Sequence, residues 1–322
     1  MEYRKLGAAG LKLSELSFGS WVTFNKQVDS GLAERMFGTC FDAGVNFFDN
    51  AEGYEAGGSE IVMGKALKAL ARPRDSYCVS SKVFFGATAE PLPTQRGLSR
   101  KHIFEACHQA MQRLQLDYLD LYFCHRADPE TPIGETVWAM HNLITQGKVL
   151  YWGTSEWTAA EIAEACEFAR DNHLTPPSME QPQYNLLDRE RFEVEYAPIF
   201  DKYRLGTTTW SPLASGALTG KYLKGIPEGS RATLAGYEWL KKHMVESERG
   251  QQRMQRVAKL QPIAEELGTS LSKMAIAWCL LNPNVSTVIL GASRLEQLQE
   301  NLAAVDVLPL LTEEVQARLA AI

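Results

Sequence analysis

The sequence has no C-x-x-C pair: its six cysteines, Cys40, Cys78, Cys107, Cys124, Cys166 and Cys279, lie far apart. That scatter reads as reduced thiols in a cytoplasmic protein. It also lacks a basic-then-apolar leader, opening instead on MEYRKLGAAGLKLSELSFGS, which does not follow the pattern of a secretory signal. There is no uninterrupted bilayer-length apolar run. The best stretch, Met274–Leu290, is broken by Asn282-Pro283-Asn284, so no membrane insertion is expected. Nor is there an excess of positive charge: 33 Lys and Arg stand against 39 Asp and Glu, a formal net charge of -6. A general nucleic-acid surface is thereby disfavoured, although a local basic patch could still hold a phosphorylated ligand.

What is present is a repeated order of elements. Short apolar runs alternate with amphipathic segments: Leu16–Phe18 before Gly31–Ala43, Val45–Phe48 before Glu60–Leu70, and Tyr77–Ser80, leading to Lys82, before Ser99–Leu114. Next come Leu119–Phe123 before Ile133–Ile144, Leu150–Trp152 before Ala159–Ala169, and Met179–Gln181 before a weaker helix at Glu190–Phe200. Gly206–Trp210 then precedes Val257–Leu267, and Thr287–Leu290 precedes Leu295–Val305. No single run separates a buried strand from a helix fragment, but eight in the same order predict parallel strands with right-handed crossovers, an α/β fold closed as a (β/α)8 TIM barrel. A doubly wound sheet is the alternative, and no G-x-G-x-x-G follows the first strand to support it.

Tyr3–Leu6 and Leu11–Leu13, joined by Gly7-Ala8-Ala9-Gly10, read as an N-terminal β-hairpin capping the barrel floor. Ser215–Gly250 is a long loop after strand 7, of the kind that serves as a lid or binding loop. Thr312-Glu313-Glu314 reads as a helix start for the tail. With no composition break, 1–322 is expected to form a single domain.

Barrel enzymes place their chemistry at the carboxyl ends of the strands. There the sequence puts Asp49 with Tyr54 after strand two, Lys82 after three, His125 after four, Ser155 after five and Gln181 after six, with Trp210-Ser211-Pro212 after seven. Asp, Tyr, Lys and His together suit proton transfer to a carbonyl oxygen. A lysine ammonium would favour the phenolate of Tyr54, Asp49 would orient the lysine, and His125 could donate a hydrogen bond to the carbonyl. No side chain supplies hydride, so a nicotinamide cofactor is implied. Taken singly, each residue has a plainer reading as a helix cap, an ion-pair partner or packing. His102, His108, His141, His173 and His243 fall in helices or loops and are read as non-catalytic. A metal centre would need about three His, Asp or Glu ligands; only Asp49 and His125 qualify, so none is expected.

The stretch Gly44-Val45-Asn46-Phe47-Phe48-Asp49-Asn50-Ala51-Glu52-Gly53-Tyr54, with Ser81-Lys82 and His125, resembles the aldo-keto reductase signature. Gly97-Leu98-Ser99-Arg100-Lys101-His102, Tyr151-Trp152-Gly153-Thr154-Ser155, Trp210-Ser211-Pro212-Leu213-Ala214 and Gly291-Ala292-Ser293 are similar to the branch containing the voltage-gated potassium channel β subunits. The resemblance implies a barrel that binds NADP(H) and reduces aldehydes or ketones reversibly, with Asp49, Tyr54, Lys82 and His125 as the catalytic tetrad. It further implies that Trp21 and Gln27 approach the nicotinamide, that Asp49, Ser155 and Gln181 bind at the ring, and that Trp210 stacks on it. Ser211, Leu213, Gly216, Lys221 and Arg231 would lie over the pyrophosphate and 2′-phosphate; Gly291, Ser293, Gln297, Glu300 and Asn301 would hold the adenosine end. The cations Lys221, Arg231 and Arg294, the last at the start of a helix, would favour NADP(H) over NAD(H).

Three departures bear on function. The mammalian channel subunits carry Asn at the position of His125 and Arg at that of Glu156, and the segment Gly86–Arg96, expected to border the substrate mouth, is longer here. His125, and a chain that begins almost directly at the barrel, favour an enzyme acting on a small carbonyl or alcohol substrate over a slow redox-sensing channel subunit. Trp21, Phe84, Phe85 and Tyr184 suggest an apolar pocket. A homo-oligomer, a tetramer by analogy with that branch, is compatible with the resemblance.

Overall fold

The computed structural model describes residues 1–21, 29–227 and 246–322. A hairpin of β1 (Tyr3–Lys5) and β2 (Lys12–Ser14) precedes eight barrel strands. These are β3 (Leu16–Gly19), β4 (Phe47–Asp49), β5 (Cys78–Val83), β6 (Leu119–Cys124), β7 (Val149–Ser155), β8 (Met179–Gln181), β9 (Gly206–Thr209) and β10 (Thr287–Leu290). All pair in parallel, in the order β10-β3-β4-β5-β6-β7-β8-β9, and β9 closes on β10. The expected (β/α)8 barrel and its N-terminal hairpin are both present.

Strand alternation sorts the side chains into two cores. Phe47, Cys78, Leu121, Phe123, Met179 and Ile289 point into the barrel lumen, where Leu6 and Leu13 of the hairpin join them from below. Their neighbours Phe48, Val79, Tyr122, Cys124 and Val288 point outward against the helices. The floor fits closely: Gly7 turns in the left-handed region at φ 57°, and a Cβ on Gly206 would lie 2.6 Å from the backbone of Leu6. All six cysteines are free and buried, and burial pushes the thiols of Cys78, Cys107 and Cys166 up to about 12.

The helices start at side-chain caps that satisfy orphan N–H groups: Asp29 accepts from Leu32, Thr158 and Glu161 form a reciprocal box, and Thr312 accepts from Val315. Differences from the sequence expectation have local causes. Glu190–Phe200 is a π-turn over Arg191–Glu195 followed by a short helix, Ala197–Tyr203, because Pro198 has no N–H to continue the ladder. The helix expected at Val257–Leu267 runs over Glu248–Glu266, its polar first half giving little apolar periodicity. Leu271–Leu280 is a further helix whose residues are nearly all buried, so it shows no amphipathic contrast. The last barrel helix ends at Leu302 and tightens into a 3-10 segment, Ala303–Leu310.

Candidate active site

The same alternation aims a polar layer at the upper mouth. One step of two residues beyond Phe47 stands Asp49; two beyond Cys78 stands Ser80 and, after it, Lys82; two beyond Met179 stands Gln181. Lys82 is fully buried, and its Nζ donates to Asp49 Oδ2 at 2.6 Å, to the carbonyl of Asn50 at 2.8 Å and to Tyr54 Oη at 3.1 Å. Asp49 Oδ1 accepts from Ser80 Oγ at 2.7 Å and from Gln181 Nε2 at 3.0 Å. An ammonium so deep is tolerable only with this full set of partners.

Tyr54 reaches that ammonium because the chain reverses after it. Glu55, Ala56 and Gly57 all have positive φ (52°, 51° and 85°), a left-handed run that costs free energy for the two non-glycine residues. His125 packs its ring edge-to-face on Tyr54, centroids 5.7 Å apart, and on Phe85 at 5.0 Å. Its Nδ1 is buried and has no hydrogen-bond partner among the described residues.

The electrostatics divide the roles. Burial lowers the Lys82 pKa, but Asp49 and Tyr54 outweigh it and hold the amine above its ordinary value. Burial raises the Tyr54 phenol; Lys82 pulls it down and Asp49 pushes it up, and the net direction is upward. The sequence expectation of a phenol made more acidic by Lys82 is therefore corrected: the ammonium does act in that direction, but desolvation outweighs it. Burial, then the charges of Lys82 and Arg126, drive His125 well below its usual range, so it is a neutral imidazole near pH 7.

From this mouth a cleft of about 1140 Å³ extends over β9 and β10. Trp21, Asp49, Tyr54, His125, Ser155 and Gln181 line it at one end; Trp210, Ser211, Leu213, Gly216 and Lys221 follow, then Gly291, Ser293, Gln297, Glu300 and Asn301. Lys82 lies behind Asp49 and Tyr54 rather than on the wall. Gln27 and Arg231 fall outside the described residues, as do residues 228–245 of the long loop after β9. Trp21 and Trp210 meet edge-to-face at 6.0 Å, Ser155 Oγ donates to the Gln181 carbonyl at 2.9 Å, and Gln297 Oε1 accepts from Ser293 N and Oγ at 3.2 and 3.1 Å.

Several expectations shift. Phe85 lines the cleft, but among the described residues Gly86–Arg96 adds nothing to its wall. Tyr184 is core, stacked on Phe192 at 4.2 Å and close to Trp278, and Phe84 also packs against the core. The sequence reading passed over Arg126, Gln183, Ser270 and Ser272 as wall residues. Arg126 had a signal in its position directly after His125, and Gln183 in standing two residues beyond Gln181; Ser270 and Ser272 had none. Glu156, noted only as a departure, is a hub. Its Oε1 accepts from the indole N–H of Trp210 at 3.0 Å and from Gln183 N at 2.6 Å, and its Oε2 pairs with Arg191 at 2.9 Å.

A parallel barrel with a buried Asp–Lys–Tyr cluster and a neutral His opening on a long polar cleft defines a class of barrel enzyme suited to carbonyl–alcohol chemistry. Residues 15–322 match the family model described as Aldo/keto reductase family, and the chain belongs to that family, an oxidoreductase of the aldo-keto reductase type. It is 48% identical over 323 residues to a probable voltage-gated potassium channel subunit beta of Oryza sativa subsp. japonica, covering 100% of this chain and 96% of the rice protein. It is 49% identical over 313 residues to a protein of the same description from Arabidopsis thaliana, covering 97% and 93%.

Proposed function

We propose that the whole chain, 1–322, works as one cytoplasmic NADPH-dependent reductase of aldehydes and ketones, reversible toward alcohols. The observation that carries this is the Lys82 ammonium held between Asp49 and Tyr54 Oη at the mouth of the barrel. A reduced nicotinamide, when bound, supplies the hydride that no side chain can.

The residues around the cleft suit such a group. Ser155 has spent its proton on Gln181 and keeps its lone pairs for an amide N–H. Gln181 spends Nε2 on Asp49 and Thr208, which leaves Oε1 as an acceptor. Trp210 offers an indole face held by Glu156. Lys221 and Arg294 set positive charge along the cleft's far half, where a 2′-phosphate would be favoured. Gly216 sits at φ 99°, a left-handed conformation that favours glycine there.

In reduction the C=O π pair moves to oxygen as carbon takes the hydride, and Tyr54 gives its proton to that oxygen. The raised phenol pKa keeps Tyr54 loaded at neutral pH. Neutral His125 donates one hydrogen bond that positions the carbonyl; it is not charged enough of the time to be the acid. Lys82, kept cationic, stabilises the phenolate left behind. In oxidation the same phenolate takes the alcohol proton.

Loss of NADPH absorbance with 4-nitrobenzaldehyde tests the reading, and no turnover by the wild type rejects it. Lys221→Ala should weaken NADPH more than NADH; equal losses would remove the 2′-phosphate assignment. The names of the two plant relatives favour a second reading, a channel-associated subunit whose cofactor state is a signal, assembled as a homo-tetramer by analogy with that branch. Slow turnover together with co-purification on a potassium channel would favour it.

A further inference from the structure

Arg126 sits directly after β6, half-buried in the wall of the cleft with Tyr54, His125 and Phe85. Its guanidinium lies 5.7 Å from the centre of the Phe85 ring, and its Nη1 donates to the His125 carbonyl. A guanidinium has five N–H donors, so one carbonyl and one ring face leave most of them unspent. Several other enclosed arginines pair with carboxylates, Arg74 with Asp120, Arg113 with Glu60, Arg191 with Glu156 and Arg253 with Asp188, and Arg256, away from the cleft, spends its donors on the carbonyls of Leu186, Leu187 and Ile322. Among the described residues no carboxylate lies within ion-pair distance of Arg126. A partly desolvated cation facing a cleft without a counter-ion is a site for an anion, and its planar fork matches a carboxylate. Phe85, 44% exposed, offers an apolar ring alongside.

We propose that Arg126 is a specificity-determining residue that selects aldehydes bearing a carboxylate, above all aromatic ones, by pairing with that carboxylate while the C=O faces Tyr54 and His125. The inference rests on the reductase reading above. The charge of Arg126 is felt at both groups, lowering the phenol of Tyr54 and the imidazole of His125, which agrees with its standing beside the reacting centre. Lys221 and Arg294 lie on the cleft's other half, so this cation is left for the substrate rather than for cofactor phosphates.

The test compares kcat/KM for 4-carboxybenzaldehyde with that for 4-nitrobenzaldehyde in wild type, Arg126→Leu and Arg126→Lys, with NADPH as reductant. Arg126→Leu should lower the carboxy-to-nitro ratio about 10- to 100-fold, chiefly through KM, as expected for losing a hydrogen bond to a charged group. Arg126→Lys should recover part of it, and added salt should raise KM for the carboxylate alone. An unchanged ratio overturns the proposal, as does a loss of NADPH affinity that accounts for the whole effect. Calorimetric binding of 4-(hydroxymethyl)benzoate provides a readout without turnover. At least tenfold weaker binding to Arg126→Leu supports the site even if neither aldehyde reacts, in which case the reductase reading alone fails. Equal binding by the two proteins overturns it.

Discussion

At the scale of single residues, the proposed reductase has Tyr54 as proton donor and Lys82 and Asp49 as the groups that hold it. Of the two cleft-lining groups that contact the ammonium of Lys82, Asp49 and Tyr54, only Tyr54 carries a hydroxyl. Tyr54→Phe is therefore expected to reduce kcat by about 10²- to 10⁴-fold, with the dissociation constant for NADPH, read from protein fluorescence, nearly unchanged. Burial raises its pKa, so reduction should vary little through neutral pH. Alcohol oxidation, which needs the phenolate, should climb as the solution becomes alkaline. A pH–rate profile in both directions checks this, and oxidation that peaks below neutrality would contradict it. Glu156 acts one layer back. Glu156→Ala removes the acceptor for the Trp210 indole and for Gln183 N and should weaken NADPH by about tenfold, with Glu156→Gln retaining more of the affinity.

At the scale of elements, the hairpin and the barrel floor depend on one another. Gly206 begins β9, and the Leu6–Gly7 backbone rests on it so closely that a Cβ there would sit 2.6 Å from Leu6 C and 2.7 Å from Gly7 N. Backbone cannot yield as a side chain can, so Gly206→Ala should cost about 1–3 kcal/mol, seen as a lower urea midpoint. Gly10→Ala, in the same turn but with open space around it, should leave the midpoint in place. The elements also show what a sequence conveys. All eight barrel strands and the tail helix were legible, because apolar runs and cap residues are local signals. Leu271–Leu280 was not, since a helix buried all round has no polar face to reveal its period. The first half of Glu248–Glu266 was hidden for the opposite reason: it is polar on nearly every side.

At the scale of the whole molecule, stability responds to pH through carboxyls enclosed by the fold. Glu180 points outward from β8 and is fully buried, where it accepts from Thr154 Oγ1 and from Glu156 N at 2.6 Å. Burial raises its pKa from 4.5 to about 8. Between those values the folded state binds the proton and the unfolded state does not, so this group's contribution is present at low pH and is lost as the pH rises through about 8. His125 works in the other sense. Buried neutral, it costs stability as the pH falls below its unfolded value near 6.5. Comparing wild type with Glu180→Gln cancels the other groups: the variant should gain in relative thermal midpoint between about pH 5 and about pH 8.5. A constant difference over that interval would exclude the assignment.

By itself the chain determined the order of strands and helices, the closed barrel they imply, and which titratable residues stand at strand ends, since periodicity and position along a strand are properties of neighbours in sequence. The tetrad candidates were legible for that reason. Tertiary structure decided what no local pattern carries: that desolvation outweighs Lys82 at Tyr54, that Tyr184 belongs to the core while Arg126 belongs to the cleft, and that Glu156 holds Trp210. Each depends on how much water and charge surround a group, and that is set by segments distant in sequence brought to within a few ångströms.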